Sequence, residues 1–153
     1  MALILRDDGV FIHVPRCGGS YVMVVLKTLK LARFYMPSHP HVVPGFFDYF
    51  RPMFRFGFVR HPWEWLKSYY RFKVTVGTHP DVWLDQCIVA TRTVDDDLDY
   101  CFDRWVRAIY ESGRPIVTDY MFQFITFKGK RIEFVGRYED LKVDLHKAVS
   151  YTH

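Results

Sequence analysis

Two stretches of this 153-residue sequence place glycine, arginine and hydroxyl residues at spacings suited to holding an anion. In Val14-Pro-Arg-Cys-Gly-Gly-Ser-Tyr21 the paired glycines let backbone N–H groups come close to a charged oxygen, and the helical pattern that follows adds the positive end of a helix dipole. In Phe58-Val-Arg-His-Pro-Trp-Glu-Trp-Leu-Lys-Ser-Tyr-Tyr70, Arg60 closes a β-rich run and Ser68 lies on the helical stretch after it. The loop from Pro37 to Pro44, rich in proline and histidine, lies between the two and is a third functional candidate.

Other chemistries find less support. The nucleotide-kinase loop GxxxxGK[ST] needs a longer glycine span and a lysine beside the hydroxyl residue, and neither occurs here. Cys17, beside a glycine-rich helix start, is placed for a lowered pKa, but no base partner accompanies it. His13, His79, His146 and His153 have no partners at metal-ligand spacing, and Asp95-Asp-Asp97 suits a helix start, so no metal site is assigned. Cys17, Cys87 and Cys101 are odd in number, lack CxxC pairs and are expected to be reduced.

The elements that must position these residues follow from periodicity. Val10 to Val14 reads as a strand and Tyr21 to Leu31 as a helix, with a tight loop between. Phe54 to Arg60 reads as a second strand, and Pro62 opens a helix in which Trp63, Leu66, Tyr69 and Tyr70 recur at helical spacing. Helices are predicted over Asp81 to Ala90 and Asp96 to Glu111, the latter stopped by Gly113 and Pro115. A turn at Lys128-Gly-Lys130 leads to a strand at Ile132 to Arg137 and a last helix from Glu139 to Val149. The order β-α-β-α-α-β-α predicts an α/β fold with a parallel sheet, whose ligands bind outside the C-terminal strand ends.

The two motifs together resemble the 5′-phosphosulfate loop and the 3′-phosphate motif of sulfotransferases that use 3′-phosphoadenosine 5′-phosphosulfate (PAPS), and most of all the carbohydrate-type branch. That family has forms close to F-I-H-V-P-K-x-G-G-T-S and F-x-F-V-R-D-P-x-x-R-x-x-S-x-Y, where this chain reads FIHVPRCGGSY and FGFVRHPWEWLKSYY. Phe134-Val-Gly-Arg-Tyr-Glu-Asp-Leu141 resembles the family's late strand-to-helix turn.

The resemblance implies a three-layer parallel sheet like that of the P-loop nucleotide kinases, as one domain over residues 1–153, either minimal or C-terminally truncated. It implies transfer of a sulfuryl group from PAPS to a hydroxyl on a small-molecule or glycan acceptor, with release of 3′-phosphoadenosine 5′-phosphate (PAP). Arg16, Cys17, Gly18, Gly19, Ser20 and Tyr21 would form the phosphosulfate loop, Arg60 and Ser68 would hold the 3′-phosphate, and Tyr138 would contact adenine. Ser38-His-Pro-His-Val42 is similar to the His-x-His-Val of the heparan sulfate 2-O-sulfotransferases, which makes His41 the implied general base, with His39 and then His61 as lesser candidates.

There are departures from the family pattern. Arg16 replaces the usual lysine, Cys17 a frequent threonine, and His61 the aspartate after the arginine. Arginine stabilises a leaving phosphate by charge but hardly protonates it. A non-catalytic nucleotide- or anion-binding module, and a nucleotide kinase, remain as rival functions.

Composition agrees with a folded domain that meets anions. Half of the residues are hydrophobic and 18% are aromatic, enough for a core. Residues 1–75 carry eleven Lys/Arg against four Asp/Glu, while residues 76–153 carry ten against thirteen, so the anion-binding surface is expected in the first half. The basic residues are scattered without interleaved aromatics, which argues against nucleic acid. No apolar run reaches the roughly 20 residues of a membrane span, and the first residues lack a secretory pattern, so the chain as given is expected in the cytosol.

Overall fold

The computed structural model describes residues 2–6, 8–36, 53–93, 97–127 and 130–152, which cluster into two compact units. The first comprises residues 1–61 and 119–153, the second residues 62–118.

The first unit is built on a five-stranded sheet. Strands β1 (Ala2–Leu5), β2 (Gly9–Ile12), β3 (Ala32–Met36), β4 (Phe54–Val59) and β7 (Phe134–Arg137) lie in the order β3-β1-β2-β4-β7. β2 pairs in parallel with β4, in register Gly9 to Phe54, and β4 in parallel with β7, in register Phe56 to Phe134. β1 is antiparallel to both β2 and β3, so four of the five strands share one direction and β1 alone is reversed. The molecule is therefore mixed α/β. The short hairpin from β1 to β2 turns at Asp8 (φ 56°), a residue type that tolerates the left-handed region, and this leaves no room for a crossover helix.

Alternation along the strands sends Leu3, Leu5, Phe11, Phe56 and Phe58 to one face, where Val22 and Leu26 of helix α1 (Gly19–Thr28) and Leu145 and Ala148 of helix α6 (Leu141–Ser150) complete a buried cluster. On the opposite face Gly57 lies against the Ile12 carbonyl and Ile132. Helix α1 stops three residues short of the predicted Leu31. Lys30 takes a positive φ of 55°, its N–H bonds to the Lys27 carbonyl, and the Leu31 N–H bonds to the Leu26 carbonyl. This is a Schellman ending with lysine where glycine is usual, so the sequence carries no stop signal there.

The second unit contains helices α2 (Pro62–Val76), α3 (Trp83–Thr91) and α4 (Leu98–Glu111). Its core is aromatic: Trp65 stacks on Tyr69 at 4.8 Å between centroids, Tyr70 meets Trp105 at 5.3 Å, and the Trp105 indole N–H donates to the Leu84 carbonyl at 3.1 Å. The Asp97 carboxylate caps α4 by accepting the Asp99 N–H at 2.8 Å, the role expected of the acidic run; Asp95 and Asp96 lie outside the described residues. Helix α5 (Ile116–Ile125) leads to the two-residue strands β5 (Thr126–Phe127) and β6 (Lys130–Arg131), an antiparallel pair; the predicted turn residues 128 and 129 lie outside the described residues.

Candidate functional site

The C-terminal ends of the parallel strands β2, β4 and β7 bring three loops of the first unit together. The loop after β2 makes a tight turn in which the Cys17 N–H donates to the Val14 carbonyl at 3.3 Å. Arg16 (φ 64°) and Gly18 (φ 80°) both occupy the left-handed region. Alternating backbone handedness of this kind turns successive N–H groups toward one side, a concavity suited to an anion. Gly18 is the N-cap of α1 and supplies no side-chain acceptor, and the first helical turn holds no acidic residue, so the helix's positive end is left uncompensated by its own side chains.

Both glycines are required by close packing as well. A Cβ on Gly18 would stand 2.8 Å from Leu141 Cδ2 and 2.9 Å from Tyr138 Cδ2, and one on Gly19 would stand 1.7 Å from His13 Cδ2. His13, expected to be structural, is buried and wedged against the start of α1, with its ring stacked 6.3 Å from Phe11.

Arg60 follows β4. Its guanidinium carbon lies 4.3 Å from the centre of the Tyr138 ring, within cation–π range. The Tyr138 N–H donates to the Val59 carbonyl at 2.7 Å, and the His61 N–H donates to Glu139 Oε1 at 2.9 Å, so the loops after β4 and β7 are sewn together.

The electrostatics follow from burial and from two neighbouring cations. Burial lowers the pKa of Arg16, and the charge of Arg60 lowers it further. Burial pushes the Cys17 thiol up to about 12, against the opposing pull of Arg60, so at neutral pH it is a protonated thiol and a poor nucleophile.

Of the other sequence-predicted residues, Ser20 and Tyr21 are exposed on the first turn of α1, directly after the loop that follows β2. Ser68 belongs to the second unit, half-buried on α2. His39 and His41 lie outside the described residues. Among the described residues there is no cluster of three or more His, Cys, Asp or Glu placed for a metal ion, and no helix is long and apolar enough to cross a membrane.

No family model, curated protein or solved structure matches the chain.

Sequence reasoning missed the supporting parts. Leu141 against Gly18 and Glu139 on the His61 N–H both come from the stretch after β7, and the residues they support lie far away in the chain, after β2 and β4. In the second unit it also passed over Asp85, which is fully buried and accepts from Tyr69 Oη at 2.5 Å, from the His79 N–H at 2.7 Å and from Lys73 Nζ at 2.7 Å. The only sequence clue was an acid on the buried side of a helix.

Proposed function

We propose that this chain is a sulfotransferase that binds PAPS at the loops after β2, β4 and β7, moves its sulfuryl group to an acceptor hydroxyl and releases PAP. The observation that carries the reading is the convergence of Arg16, the open N-terminus of α1, Arg60 and Tyr138 at one sheet edge. Two cations and a helix N-terminus suit a nucleotide bearing separate 5′ and 3′ anionic groups better than a single phosphate. On this reading the sheet and its helices are a variant of the three-layer fold of P-loop nucleotide kinases.

In the reaction the acceptor oxygen attacks sulfur, the bond from sulfur to the 5′-phosphate oxygen breaks, and the hydroxyl proton passes to a base. Arg16 stands in the nucleotide-holding loop and stabilises the charge that develops on the leaving phosphate, without giving up a proton. Gly18, Gly19 and Ser20 offer backbone N–H groups to the phosphosulfate, Arg60 meets the 3′-phosphate, and His41 takes the proton, since an imidazole with a reference pKa of about 6.5 suits that task near neutral pH.

Thermal denaturation with PAP, with ATP and without ligand tests the assignment. A ligand that binds only the folded state contributes about 2.7 kcal/mol at a hundredfold excess over its dissociation constant, so PAP should raise Tm measurably. A rise with ATP and none with PAP overturns the proposal. PAP binding without turnover of PAPS on any hydroxyl acceptor would make the chain a nucleotide-binding module instead.

A further inference from the structure

Gly18 stands at φ 80°, a left-handed conformation that glycine enters and leaves freely because it carries no Cβ to restrict the alternatives. The space into which a side chain would project at this position is filled from the stretch after β7. A Cβ on Gly18 would meet Leu141 Cδ2 at 2.8 Å and Tyr138 Cδ2 at 2.9 Å. The turn that delivers Leu141 is itself fixed. The Asp140 N–H donates to the Arg137 carbonyl and the Leu141 N–H to the Tyr138 carbonyl, each at 3.2 Å. The Asp144 carboxylate accepts the Arg137 N–H at 2.9 Å, which ties the first turn of α6 to the end of β7. Leu141 also packs against the buried cluster that contains Phe11, Phe58 and Leu145, so its side chain is anchored in the core as well as against the glycine.

We infer that Leu141 is a positioning residue for the loop after β2: by filling the space beside Gly18 it holds that loop in the shape that receives the 5′ anionic group of the nucleotide. The inference rests on the nucleotide reading above, and it gives α6 a part in binding through a side chain that offers a ligand nothing polar. The effect is one of preorganisation. A glycine loop that samples several backbone conformations must be ordered when the anion binds, and that entropy is subtracted from the affinity. With the leucine in place the side of Gly18 that faces α6 is closed, and the Gly18 carbonyl stays aligned to accept the Val22 N–H at 3.2 Å, a bond of the first turn of α1. Shortening Leu141 to alanine removes the branched end of the side chain and opens room into which the loop relaxes.

The test compares PAP with adenosine 3′-monophosphate, which keeps the 3′-phosphate and lacks the 5′ one, by calorimetry on wild type, Leu141→Ala, Leu141→Val and Leu141→Met, each below its own Tm. Wild type should prefer PAP. Leu141→Ala should weaken PAP about threefold to tenfold, part of the backbone freedom of one residue, and leave the 3′-monophosphate unchanged. Leu141→Met, which fills a similar volume, should retain the preference, and Leu141→Val should fall between, so the series stays readable if the alanine variant does not fold. Equal losses for both nucleotides, or full PAP affinity in the shortened variants, overturn the inference. If wild type does not prefer PAP, the nucleotide reading of the loop fails, and the hold on Gly18 is then judged alone by amide hydrogen exchange without ligand. The Val22 amide should exchange about threefold to tenfold faster in Leu141→Ala, relative to Leu26 one turn further along α1, and normally in Leu141→Met. An unchanged ratio of Val22 to Leu26 overturns the hold.

Discussion

Replacing Gly19 by alanine puts a methyl carbon 1.7 Å from His13 Cδ2 and 2.2 Å from its Nε2. Carbon atoms in contact ordinarily stand about 3.5–4.0 Å apart, so the imidazole must withdraw by roughly 2 Å or the first turn of α1 must lift. His13 is 8% exposed, follows the fully buried strand β2 and packs on Phe11, so small side-chain adjustments give little relief. Overpacking commonly costs about 1–3 kcal/mol, and an overlap this deep belongs at the upper end, about 3 kcal/mol. For a chain of this size each kcal/mol lowers Tm by about 2–4 °C, so Gly19→Ala should melt about 6–12 °C below wild type. Urea unfolding followed by circular dichroism measures the free energy, with an unchanged m-value as the sign that the folded state is preserved. A His13→Ala, Gly19→Ala double variant supplies the control: with the imidazole gone the methyl group has space, so the pair should be about 1–3 kcal/mol more stable than the two single losses added together. A Gly19→Ala protein within about 0.5 kcal/mol of wild type, or a strictly additive double variant, refutes the wedge of His13 against α1.

Arg60→Ala should weaken PAP by about 1.5–3 kcal/mol, the size of a charge-assisted contact, and adenosine 5′-phosphosulfate far less; equal losses remove Arg60 from the 3′-phosphate. Asp85→Ala strips a fully buried carboxylate from Tyr69, Lys73 and His79 and should destabilise the chain by about 3–5 kcal/mol in denaturant titration, with a change under 1 kcal/mol showing that the network carries little. Burial alone would raise the pKa of Glu133, but the side-chain and backbone N–H groups of Arg55 outweigh it and hold the carboxyl below its ordinary range. Because the folded pKa is depressed, this contribution is present above the unfolded value of about 4.3 and is lost as pH falls through the folded one, so Glu133→Gln should flatten the stability profile below about pH 4.3. Parallel profiles for the two proteins between pH 2 and 6 would count against the pair.

Local pattern was enough for the elements that carry the site. Val10 to Ile12 and Phe54 to Val59 are β-rich, and Leu66, Tyr69 and Tyr70 recur at helical spacing; each signal lies within a few residues, so β2, β4, β7 and most helices are legible to within two or three positions of their ends. The glycine pair and Arg60 at strand ends are legible for the same reason. Pairing is not local. Ala2 to Leu5 is only a short apolar run until β2 and β3 close on either side of it, and Ala32 to Met36 becomes a strand because β1 offers it an edge, which is how an expected parallel sheet acquired one reversed strand. Ile116 to Ile125 has a β-rich composition, yet it folds as a helix whose Met121, Phe124 and Ile125 are buried at helical spacing, where burial outweighs intrinsic preference. The same holds at the site. Residue types already pointed to anion binding at the ends of two strands, but the Tyr138 ring under the Arg60 guanidinium and against Gly18 arises only when distant segments meet, since a contact's energy depends on separation in space and leaves no period in the chain.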